Sequence, residues 1–151
     1  MRRTALTSLV LLVVLFAACS ARQGAPEDEI REWLERGERL VGEEDRRGLI
    51  DMISPAYADA RGNDRDDLND RFRLLFLRTD PMTLLTRVEA ITVIGGSAAE
   101  VKLDVGMAGR DDLSALGYNA SAYRFELELV HDGDDWQLIS ARWGEVGGQL
   151  R

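Results

Sequence analysis

The sequence predicts an α+β domain in which three N-terminal helices cover one face of a four-stranded antiparallel sheet. Three observations predict it. Apolar residues recur at helical spacing up to about residue 78 and alternate from about residue 83 onward. Every predicted helix precedes every predicted strand, the order of α+β rather than alternating α/β folds. The predicted strands are apolar on one face and charged on the other, so the helices cover only the apolar face.

The first helix is expected at residues 26–43. Pro26 suits a first turn, and Glu27, Asp28 and Glu29 complement the exposed amides there. Ile30, Trp33, Leu34, Leu40 and Val41 form its apolar stripe. A short second helix, 45–53, turns Leu49, Ile50 and Ile53 inward, and Pro55 prevents its continuation. Residues 54–63 read as a connector around Tyr57 and Gly62. A third helix follows at 64–78, capped by Asn63 or Asp64, with Leu68, Phe72, Leu75 and Phe76 inward. Helix capping also accounts for the acids Asp59, Asp64, Asp66, Asp67 and Asp70. Their spacing is not that of a calcium loop, because Leu68 takes a ligand position.

Two strands, 83–94 and 97–107, surround Gly95-Gly96. A two-residue turn there pairs Ile94 with Ser97. That register sets Thr86 opposite Val105, Val88 opposite Leu103 and Ala90 opposite Val101. On the other face it sets Arg87 against Asp104 and Glu89 against Lys102, and a slip of one residue destroys both patterns. The third strand, 121–131, alternates Tyr123, Phe125, Leu127 and Leu129 with Arg124, Glu126 and Glu128. The fourth, 136–143, begins with Trp136 and Leu138 on the apolar face. Its alternation then fails at Arg142 and Trp143, and a bulge near Ser140 restores it.

The chain has 151 residues, 19 basic and 27 acidic, for a net charge of −8. Removing residues 1–18, whose only charges are Arg2 and Arg3, leaves 133 residues at −10. That length suits one domain. A hydrophobic content of 45% excludes a disordered acidic chain. The acidic balance argues against nucleic acid as a partner. One cysteine excludes an intrachain disulfide and a multi-cysteine zinc site, and one histidine excludes a multi-histidine metal site. No cofactor and no metal are expected.

Residues 1–18 read as a signal peptide: two arginines, a ten-residue apolar run at 9–18, and small residues before Cys19. The run is half of what a spanning helix needs, roughly 20 residues. Leu15-Phe16-Ala17-Ala18-Cys19-Ser20 resembles a bacterial lipobox, with Phe16 where leucine is usual. The resemblance implies a diacylglyceryl group on Cys19, cleavage after Ala18, and acylation of the new amino terminus. Ser20 stands where an inner-membrane retention signal places aspartate. The expected location is therefore the outer membrane, anchored by lipid on the periplasmic side. Residues 19–25 read as a tether, 26–146 as the domain and 147–151 as a tail.

Several segments together resemble the nuclear transport factor 2-like fold, and more closely the small bacterial lipoproteins that carry it. They are 49–59, beginning Leu49-Ile50-Asp51-Met52, then Arg61-Gly62-Asn63-Asp64, Leu84-Leu85-Thr86-Arg87-Val88-Glu89 and Met107-Ala108-Gly109-Arg110. Residues 123–129, Trp136-Gln137-Leu138 and Ala141-Arg142-Trp143 complete them. The resemblance implies a cone of helices and curved sheet, often with a pocket. The superfamily spans isomerases, cyclases, dehydratases, transport adaptors and proteins without known activity, so it does not fix a reaction. Candidate pocket residues are Trp33, Tyr57, Thr86, Tyr123, Ser140 and Arg142. Arg142 could meet a ligand carboxylate or phosphate; alternatively a bulge turns it outward, or Asp51 or Asp59 pairs with it.

No catalytic residue is assigned. His131, beside the Asp132-Gly133 turn, reads as exposed. The favoured reading is a non-catalytic envelope lipoprotein that binds a small apolar ligand or a protein. A purely structural partner of an envelope complex is a second reading. A third is an isomerase- or cyclase-like enzyme using carboxylate and tyrosine groups in the cone, which requires an inward carboxylate of raised pKa touching Tyr57 or Tyr123. Many relatives dimerise through the outer sheet face. Here that face is charged, and a monomer is expected.

Overall fold

The computed structural model describes residues 26–78, 82–109 and 121–151. Cys19, the leader, the tether and the connection at 110–120 lie outside the described residues. Helix α1 covers 26–42, α2 Arg46–Asp51 and α3 Arg65–Arg78. Strands β1 (Met82–Ile94), β2 (Ala98–Gly109), β3 (Ser121–Asp132) and β4 (Asp135–Glu145) form one antiparallel sheet in that order.

The helix boundaries follow from side-chain chemistry. Asp45 caps α2 by accepting from the Gly48 amide at 3.0 Å. At α3 the cap is Asp64, not Asn63. Its Oδ1 accepts from the Asp67 amide at 2.9 Å while Asp67 Oδ2 accepts from the Asp64 amide at 3.1 Å, a reciprocal pair that satisfies two orphan donors.

The β1–β2 register corrects the sequence reading in one half. Val88 faces Leu103, Arg87 faces Asp104 and Thr86 faces Val105. Beyond them a bulge at Glu89 shifts the pairing by one, so Ile91, not Ala90, faces Val101, and Val93 faces Ala99. The turn therefore has three residues, and Ile94 pairs with Ala98. Gly95 and Gly96 both hold positive φ, which a side chain would resist. The cause is burial: without the bulge Ile91 and Val93 would point to the charged face. Glu89 then meets Arg124 at 3.0 Å, and Lys102 meets Glu126 at 3.4 Å.

In β4 the register shifts opposite Glu128 and Leu129, and Ile139 is the extra residue. Trp136, Leu138, Ala141 and Trp143 thereby share the helix-covered face. The free edge of β4 is covered. Ser54 and Ala58 donate backbone hydrogen bonds to Leu138 and Ile139, and Leu138 donates to Met52. Further along, Trp143 and Arg151 exchange both backbone bonds, at 3.1 and 3.2 Å. The expected tail is thus docked beside β4 and occupies part of that edge.

The most completely buried large side chains are Ile30 of α1 and Val101, Leu129 and Trp136 of the sheet, all at most 2% exposed and members of one core cluster. Complete burial of such a side chain contributes about 1.5–3 kcal/mol. Toward the opposite end of the sheet, helices and strands part around a hollow.

Candidate functional site

The hollow has a volume of about 340 Å³. α1 contributes Trp33, Leu34 and Val41, and α3 contributes Phe72 and Leu75. The sheet contributes Leu84, Thr86, Leu103, Val105, Phe125, Leu127 and Leu138. Its floor is the even-numbered apolar parity of β1 below the bulge and the matching rows of β2 and β3. Among the lining residues only Thr86, Glu38 and the Trp33 indole carry side-chain polar groups. The Trp33 N–H is buried and has no acceptor among the described residues. The wall is almost wholly hydrocarbon, which suits an apolar molecule and gives a charged one nothing to replace its water.

Of the sequence candidates, the structure brings only Trp33 and Thr86 to this hollow. Tyr57 is 3% exposed and lies in the connector after α2, outside the lining. Tyr123 lines a second recess of about 700 Å³ with Arg61, Trp143 and Arg151. Phe125 lines both spaces and stacks on Trp143 at 6.3 Å. Arg61 lies 4.2 Å over the Trp143 ring and donates to the carbonyls of Trp143 and Arg151. Ser140 and Arg142 do not enter the cone. The Ile139 bulge turns both to the opposite face, where Arg142 meets Glu126 at 2.6 Å rather than Asp51 or Asp59. Most lining residues the sequence left unassigned, Phe72, Leu103, Val105 and Phe125 among them, sit on the predicted apolar stripes, whereas Glu38 was expected on the polar face of the first helix and Met52 on no stripe. No periodic signal separates a stripe that packs from one that faces a void.

Tyr57 does touch a carboxylate. Its hydroxyl donates to Asp59 Oδ2 at 3.2 Å. The same oxygen accepts from Asn63 Nδ2 at 2.7 Å, and Oδ1 accepts from the Arg61 and Asn63 amides, each at 2.9 Å. Burial pushes the Asp59 carboxyl up, but these donors outweigh it and hold it below the ordinary carboxylate range. Burial, then the Asp59 charge and hydrogen bond, push the Tyr57 hydroxyl up. The pair is an ionised acceptor and a fixed donor, which ties the connector to α3 through Asn63 and Arg71. The carboxyl pKa is thus lowered, the opposite of the raised value that the enzyme reading looked for beside Tyr57.

His131 is also outside the hollow. It packs edge-on to Trp136 at 5.2 Å, and its Nε2 lies 3.8 Å from Glu29, which accepts from the Trp136 indole at 3.0 Å. Among the described residues no three His, Cys, Asp or Glu side chains converge to hold a metal ion.

No family profile matches the chain, and no curated protein matches it in sequence. Solved structures do match in shape. A candidate scytalone dehydratase from Novosphingobium aromaticivorans superposes with a TM-score of 0.72 at 9% identity, covering 87% of this chain and 90% of its own. A nuclear transport factor 2-like protein of unknown function from Pseudomonas putida gives 0.64 at 22% identity, with coverages of 80% and 87%. Bd1075 of Bdellovibrio bacteriovorus gives 0.67 at 10% identity over 81% of this chain, which spans only 41% of that protein. At such identities the likeness concerns shape alone. Three helices before one curved four-stranded antiparallel sheet agree with the shape of these neighbours, and the chain has the nuclear transport factor 2-like fold.

Proposed function

We propose that this chain is a non-catalytic envelope lipoprotein whose cone binds a small apolar ligand. The observation that carries the ligand reading is the hydrocarbon-lined hollow of about 340 Å³, which holds no histidine and only one lining carboxylate, that of partly exposed Glu38. The lipobox-like segment at Cys19 supports anchoring to the outer membrane on its periplasmic side. Among the described residues no helix is long and apolar enough to cross a membrane. Most charges of the outer sheet face are matched by a neighbour of opposite sign. Arg124 pairs with Asp104 and Glu89, and Glu126 with Lys102 and Arg142, which supports a monomer.

An enzyme of isomerase, cyclase or dehydratase type needs proton-transfer groups set inside the cone; the Tyr57–Asp59 contact lies outside the lining of the hollow, and the one carboxylate in that lining, Glu38, is partly exposed. Mass spectrometry of lipids and small molecules co-purifying with the protein from its native envelope tests the reading. One apolar species at a stoichiometry near unity is expected. An empty protein that also fails to bind a neutral apolar fluorophore would refute it.

A further inference from the structure

We propose that the C-terminal half of α3 is a docking surface that seats the rim of the hollow on an anionic lipid bilayer. Residues 71–78 read Arg-Phe-Arg-Leu-Leu-Phe-Leu-Arg: three cations, five large apolar residues and no acid, in a chain of net charge −8. The acids of α3, Asp66, Asp67 and Asp70, all fall in its first half, and the next, Asp80, lies past its end. Leu74 and Leu77 stand three residues apart on the outward face and are 48% and 73% exposed. Arg73 beside them is exposed and makes no ion pair with a described residue. Leucines flanked by arginines are what an amphipathic helix presents to acyl chains and anionic headgroups together. Phe72 and Leu75, on the same turns, line the hollow. Docking here therefore brings the cavity wall beside the acyl layer from which an apolar ligand would enter.

An acidic protein partner could use the same chemistry. The tether favours the bilayer: residues 20–25 reach at most about 20 Å when extended, so a lipid on Cys19 holds the domain against the surface. To that extent the inference rests on the anchored reading.

The test uses the full chain with Cys19→Ser and one new cysteine, at Leu77 or, as control, at Asp132 on the β3–β4 hairpin. Each is labelled with an environment-sensitive fluorophore and mixed with vesicles of phosphatidylglycerol or phosphatidylcholine. A several-fold rise at 77 with phosphatidylglycerol is expected, with little rise in phosphatidylcholine, none at 132, and loss of the rise when Leu74→Glu is added. No rise at 77, equal rises at both positions, or equal rises in both lipids would overturn the proposal. The Cys19→Ser chain cannot be acylated, so this result is independent of whether the native chain carries lipid.

Discussion

The Tyr57 hydroxyl meets Asp59 Oδ2 at 3.2 Å in the connector between α2 and α3, and both residues are buried. Asp59 is the centre of that connector: four donors converge on its two oxygens. Its folded pKa is depressed, so its contribution to stability is complete above about pH 4 and is lost as pH falls through the folded value. Asp59→Ala is expected to cost about 3 kcal/mol, because buried donors lose their acceptor, and Tyr57→Phe about 1 kcal/mol. Urea unfolding from pH 7 down to about pH 3 checks both. Wild type should steepen its loss below pH 4, and an equally steep acid limb in Asp59→Ala would refute the assignment.

Glu100 and Glu128 are direct cross-strand partners on an outer face where most other charges are matched. Like charges so placed repel. Glu128→Lys should raise stability by about 0.5–1 kcal/mol, with the gain shrinking in high salt. Light scattering on the same variant should still report a monomer; a change in mass would show that this face mediates association.

Gly144 is buried against the returning terminus. A Cβ there would stand 2.5 Å from the Gln149 carbonyl oxygen, a backbone atom that cannot swing aside. Gly144→Ala should displace residues 149–151, break the Trp143–Arg151 backbone pair and cost about 1–2 kcal/mol. Hydrogen exchange at the Trp143 amide should accelerate. Unaltered protection there would mean that the docked terminus does not secure the β4 edge.

Periodicity made the sheet legible because one face is buried and the other charged. The β4 bulge was readable from the parity of Arg142 and Trp143 alone. The same signal marks β1, where Ile91 and Val93 break parity after Glu89, but the charge match of Glu89 with Lys102 conceals it. The hollow is legible only as an apolar stripe, because Leu103 at a void and Val101 in packed core are the same kind of residue on the same face. The Asp59 network and the docking of Arg151 on Trp143 have no period at all. They depend on where a loop and a terminus meet a strand edge, which local sequence does not encode.

If Cys19 carries the anchor, radiolabelled palmitate should enter the wild-type chain and not Cys19→Ala. Acylation needs the thiol itself, so Cys19→Ser should be equally blank, and both variants should appear in the soluble fraction after envelope lysis. Equal labelling of wild type and variant would end the lipoprotein reading without touching the ligand reading.

The ligand reading has its own substitution. Val105 faces Thr86 across β1–β2 and borders the hollow, so Val105→Phe directs a ring into empty space. Overpacking a filled core costs about 1–3 kcal/mol, whereas here the ring has room, so stability should change by less than about 1 kcal/mol. Binding of a neutral apolar fluorophore should fall at least about tenfold, a loss of about 1.4 kcal/mol. Arg142→Ala, on the opposite sheet face, should leave binding unchanged. If Val105→Phe is well folded and binds as before, the fluorophore occupies another surface, and the hollow is a packing defect rather than a site. If Arg142→Ala alone weakens binding, the charged face is the ligand surface and the cone interior is scaffold.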